Sequence, residues 1–92
     1  MTFPTSAPPL DALMTFLVVA RLGRYTAAAD VVGVNHSTVS RRIAALERAM
    51  GGRVLVHTPV GWEVTALGRR AVAIAERIEG SLHELAGDGD DD

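Results

Sequence analysis

The 92-residue chain contains no cysteine, which excludes a disulfide scaffold, a thiolate zinc site and a cysteine nucleophile together. It also lacks any long apolar run. None reaches the roughly 18 residues that suggest a membrane span, so no membrane partner is expected. The opening Met-Thr-Phe-Pro-Thr-Ser-Ala-Pro-Pro has no basic stretch followed by an apolar one, and a cytoplasmic location is the default expectation. No internal repeat is present. The length suits one domain with a modest core, because a chain this short buries only about 60% of its unfolded surface. Its 48% hydrophobic and 22% charged residues are the balance of a folded domain, not of a disordered chain.

Lysine is missing as well, and all nine basic residues are arginine. A net charge of −2 argues, taken alone, against a nucleic-acid partner. The distribution reverses that reading. Residues 21–70 carry eight arginines against Asp30, Glu47 and Glu63, whereas residues 76–92 carry seven acids against Arg77. The chain is a basic body with an acidic end.

Residues 1–9, rich in proline, read as a disordered lead-in. From Leu10 the apolar residues Leu13, Met14, Leu17 and Val18 recur at helical spacing, with Asp11 in the first turn and Gly23 as the stop. A short second helix spans about Tyr25 to Val32, where Ala27-Ala28-Ala29 lets another helix approach closely. Gly33 follows as a left-handed C′ residue. Asn35 is a good N-cap for a third helix, whose Val39, Ile43, Leu46 and Met50 share one inward face up to Gly51-Gly52. Residues 54–57 and 62–65 are rich in β-formers, and Thr58-Pro59-Val60-Gly61 between them predicts a hairpin with a four-residue loop. Thr65 can cap a last helix over residues 66–86, leaving 87–92 as an acidic tail.

Two helices joined by a short glycine-containing turn form a helix-turn-helix, and a hairpin after the second makes it winged. The expected fold is therefore mostly α: a winged helix-turn-helix over residues 10–65, followed by a long linker helix. The outward residues of helix three, His36, Ser37, Thr38, Ser40, Arg41 and Arg42, are nearly all hydrogen-bond donors. Such groups contact phosphates and base edges when a helix N-terminus enters the major groove. A double-stranded DNA partner is expected. The alternative is a winged-helix module that binds protein, which would have no need of an arginine-rich helix three.

These residues also resemble a family. Leu10 to about Ile78 is similar, without a gap, to the N-terminal DNA-binding domain of LysR-type transcriptional regulators. The resemblance rests on Phe16, Gly23-Arg24-Tyr25-Thr26-Ala27-Ala28-Ala29, Val34, Val39-Ser40-Arg41-Arg42-Ile43, Leu46-Glu47 and Gly51. It continues in Val64-Thr65 and Gly68, where the family has Leu-Thr-x-x-Gly. It implies a linker helix that pairs two subunits, and binding to an interrupted inverted repeat as a dimer, or as a tetramer in a full-length form. It further implies a larger C-terminal domain, not included in this chain, that senses a small co-inducer. Two departures bear on recognition. His36-Ser37 stands where the family has Gln-Pro, which implies an altered base preference. Val54-Leu55-Val56-His57 stands for Leu-Phe-x-Arg, so the wing offers His57 instead of an arginine, and Arg53, Arg69 or Arg70 can substitute.

From these readings, His36, Ser37 and Arg41 are expected to read bases, and Thr26, Ser40 and Arg42 to hold phosphates. The stripe Ala71, Ile74, Ile78, Leu82 and Leu85 is expected to dimerise, since the linker helix, about 30 Å long, outreaches a winged-helix body. His36, His57 and His83 lack metal-ligand spacing, and Ser37 and Ser40 near His36 lack an oxyanion loop. No metal, cofactor or enzymatic activity is expected. Trp62 is expected to cover the core beneath the wing, and Glu47 to pair with a nearby arginine.

Overall fold

The computed structural model describes residues 8–90, with side chains up to Gly87. Of the expected lead-in, residues 1–7 lie outside the described residues. The carbonyl of Pro9 accepts from Leu13 N at 3.1 Å and so starts α1, Leu10–Leu22. Next come α2 (Tyr25–Val32), α3 (His36–Met50), β1 (Leu55–Thr58), β2 (Gly61–Val64) and α4 (Ala66–Asp90). The first three helices end on Gly23, Gly33 and Gly51 in the left-handed region, at the glycines the sequence marks as stops.

The core gathers around α1. Phe16, Leu17 and Val19 meet Ala28 and Ala29 of α2, the Val39, Ile43 and Leu46 face of α3, Val54 and Leu55 at the wing, and Ala71 and Ala75 of α4. Each fully buried large apolar side chain contributes about 1.5–3 kcal/mol. The alanines of α2 and α4 add little area but let these helices lie close to α1. The result fixes α3 with its apolar face inward and its N-terminal turns outward.

The hairpin differs from the expected one by one residue at each end. β1 and β2 pair antiparallel with Leu55 opposite Val64 and Thr58 opposite Gly61, leaving only Pro59-Val60 as the loop. Pro59 cannot take the positive φ that the common two-residue hairpin turns need there. Gly61 supplies it instead, at φ 126°. Thr58 Oγ1 donates to the Gly61 carbonyl at 2.8 Å and closes the tip.

Thr65 leaves the hairpin to start α4. Its hydroxyl accepts from Gly68 N at 3.0 Å and donates to the Arg53 carbonyl at 2.6 Å. A Cβ at Gly68 would collide with the Val54 carbonyl oxygen, so the Thr-x-x-Gly spacing is a cap followed by an obligatory close approach. Two further expectations need correction along α4. Ala71 is 1% exposed and packs into the domain's own core, so it does not belong to the outward stripe. The helix also continues to Asp90, through Gly87 and Gly89 and beyond the expected end at residue 86, since a glycine weakens a helix by about 1 kcal/mol without necessarily stopping it.

Candidate nucleic-acid interface

The first two turns of α3 are wired by side chains. Asn35 Oδ1 accepts from Thr38 N at 2.8 Å, capping the helix, and from Ser37 Oγ at 2.9 Å. Thr38 Oγ1 in turn accepts from Arg41 Nη2 at 3.1 Å. The cap therefore orients Thr38, and Thr38 tethers the guanidinium of Arg41 while other N–H groups of that guanidinium stay available. His36, Ser37 and Arg41 are exposed, as is Thr26 in the first turn of α2; Thr38 and Ser40 are half-buried. No acid occurs between Asn35 and Ala45. The unpaired N–H groups at this helix start add positive potential to the same surface.

Arg42 does not join them. Its Nη1 donates to Thr15 Oγ1 at 3.1 Å, and its Nε lies 3.8 Å from Asp11 Oδ2 on α1. Three residues after Val39 and four before Leu46, Arg42 flanks their buried face. Arg42 thus forms an internal link from α3 to α1, unlike the exposed Arg41. Arg53 is exposed but engaged, with Nε 3.3 Å from Glu47 Oε2. Glu47 also accepts from Val54 N at 3.0 Å, so this carboxylate binds the chain between α3 and the wing. That is the intramolecular pairing expected of it.

Tyr25 is the residue that the sequence reading overlooked. Its ring stacks on Trp62 of β2, with centroids 5.0 Å apart and planes 24° from parallel. On another side it meets the His36 imidazole at 5.6 Å and 38°. His57 of β1 completes the row, edge-on to Trp62 at 4.8 Å. Four rings thus run from the start of α3 to the wing, and Trp62 lies over the core as expected. Burial, together with the charge of Glu47, raises the Tyr25 phenol above its ordinary value, so it stays neutral. The only sequence hint was the glycine-bounded start of α2, which puts Tyr25 next to Thr26.

A second patch lies along α4. Ile74, Leu82 and Leu85 are 43%, 51% and 73% exposed, and half-buried Ile78 borders them. Among the described residues no three His, Cys, Asp or Glu side chains gather in a way that could hold a metal ion. No described helix is long and apolar enough to cross a membrane.

Comparison with known proteins agrees with this geometry. A regulator of Pseudomonas aeruginosa, named as a transcriptional regulator, is 40% identical over 81 residues, 84% of this chain and 26% of that protein. The HTH-type transcriptional regulator DmlR of Escherichia coli is 37% identical over 71 residues, 77% of this chain and 23% of its own length. The chain thus spans about a quarter of the length of these curated relatives. Among solved structures, the DNA-binding domain of CbnR in complex with DNA superposes with a TM-score of 0.74 at 32% identity, covering 89% of this chain and 93% of that one. The family model described as bacterial regulatory helix-turn-helix protein, lysR family, matches residues 10–69, the stretch that holds α1, α2, α3, the hairpin and the Thr65 cap. The chain belongs to the lysR family of bacterial regulatory helix-turn-helix proteins.

Proposed function

We propose that the chain is a sequence-specific double-stranded DNA-binding unit for transcription regulation, working as a homodimer. The observation that carries this reading is the acid-free, donor-rich start of α3, where Asn35, Thr38 and Arg41 form one hydrogen-bonded chain. His36, Ser37 and Arg41 read base edges in the major groove, and Thr26 and Ser40 hold the backbone. Thr38 acts by orienting Arg41. Arg53 and His57 supply weaker contacts from the wing, since Arg53 already shares its charge with Glu47. The role is binding, and no catalytic step is assigned.

Pairing through the exposed stripe of α4 would place two α3 helices on an interrupted inverted repeat, with half-sites whole helical turns apart, roughly 10 bp or a multiple. Sensing of a small molecule belongs to a further domain of the regulator, and tetramer formation to the longer protein. The test is selection from a randomised duplex library at several salt concentrations. Wild type should select a spaced inverted repeat, with affinity falling steeply with salt. Arg41→Ala should weaken the best site by about 1–3 kcal/mol and relax one base pair per half-site. A selected sequence left unchanged by Arg41→Ala would remove α3 as the reading element.

A further inference from the structure

We propose that Tyr25 is a positioning residue for sequence readout: its ring, held by Trp62, fixes the orientation of the His36 imidazole and thereby the base that His36 prefers. The inference rests on the DNA-reading role of α3 proposed above. His36 is the first residue of α3, exposed, and among the described residues no protein group hydrogen-bonds its ring. An exposed imidazole on a helix end would otherwise sample several χ1 and χ2 states. Its partner here is the Tyr25 ring at 5.6 Å.

Tyr25 is itself restrained. It stacks on Trp62 at 5.0 Å, and Trp62 sits in a strand whose partner residue, His57, packs edge-on against it. The orientation of His36 is thus inherited from the wing across two ring contacts. A restrained imidazole presents one nitrogen in a defined direction, so it can favour one base edge over another and loses less freedom on binding. The neighbouring Ser37 hydroxyl donates to Asn35 Oδ1 at 2.9 Å.

The experiment compares wild type, Tyr25→Phe, Tyr25→Leu and His36→Ala. In the free chain, the carbon-bound imidazole protons of His36 should show ring-current displacement in wild type and Tyr25→Phe, and lose it in Tyr25→Leu. Resonances at random-coil positions in wild type would overturn the proposal without any DNA measurement. In library selection, Tyr25→Leu should lower the preference at one base pair by about threefold, the size an aromatic pair can supply. The base pair affected should be the one that His36→Ala relaxes. Tyr25→Phe should keep the wild-type profile, and the double variant Tyr25→Leu/His36→Ala should lose no more selectivity than His36→Ala alone. A Tyr25→Leu profile identical to wild type, or weakened evenly at every position, overturns the positioning role while leaving DNA reading intact. A wild type that selects no sequence overturns both.

Discussion

Arg42 donates to Thr15 Oγ1, and Thr15 is only 2% exposed. Removing the guanidinium would leave a buried hydroxyl without this partner, at a cost of about 1–3 kcal/mol. Arg41, one residue earlier, is exposed and donates a hydrogen bond to Thr38 Oγ1 on its own helix. Arg41→Ala should therefore leave stability within about 0.5 kcal/mol of wild type, the usual effect of a surface change. Urea denaturation of the two variants separates the roles: Arg42→Ala should lower the midpoint and keep the selected DNA sequence, and Arg41→Ala the reverse. Sequence spacing already held part of this answer, because Arg42 shares a side of the helix with Val39 and Leu46. The donor character of α3 carries no such direction, and the Thr15 partner, 27 residues away, is not a local feature.

At the scale of elements, what was legible was what neighbouring residues dictate. The Asn35 and Thr65 caps, and the ends of α1, α2 and α3, follow from the chemistry of one or two residues and fell where expected. What escaped depends on distant partners. Arg21 links α1 to α4 across 58 residues of sequence, donating to both oxygens of Glu79 at 2.8 and 2.7 Å, with Glu76 at 3.7 Å. The hydrogen bond from Arg21 lowers the carboxyl pKa of Glu79, while its own guanidinium is raised, chiefly by Glu79. A depressed carboxylate stabilises the folded chain above its unfolded pKa, and that stabilisation is lost as pH falls through the carboxylate range to the folded value. Arg21 stays charged throughout. Wild type should thus be more heat-stable than Glu79→Gln near neutral pH, with the gap closing on acidification and shrinking in high salt because the pair is exposed. Thermal melts of both proteins across the acid range measure it; a gap that persists in strong acid would show that the carboxylate charge is not the source.

For the whole molecule, two faces of α4 have different surroundings. Ala71 and Ala75 face inward and close the core, while Ile74, Leu82 and Leu85 are left exposed by the described residues. Amphipathic spacing revealed the stripe but could not divide it, since an alanine fits a core seam and a dimer seam equally well. The division can be tested by charge. Ile74→Asp with Leu82→Asp should give a chain that sediments as a monomer with its helix content intact, because both side chains already face water in one subunit. Ala71→Asp should instead unfold the domain, since an unpaired carboxylate would enter the core beside α1. The monomeric variant keeps the α3 surface and should still select a half-site, with weaker affinity. On the proposed dimer it should also lose the fixed spacing between half-sites, because the pairing of two α4 helices would set that distance. If the monomer still prefers the spaced repeat, or if wild type sediments as a monomer at tens of micromolar, the stripe on α4 is not what joins the two reading heads.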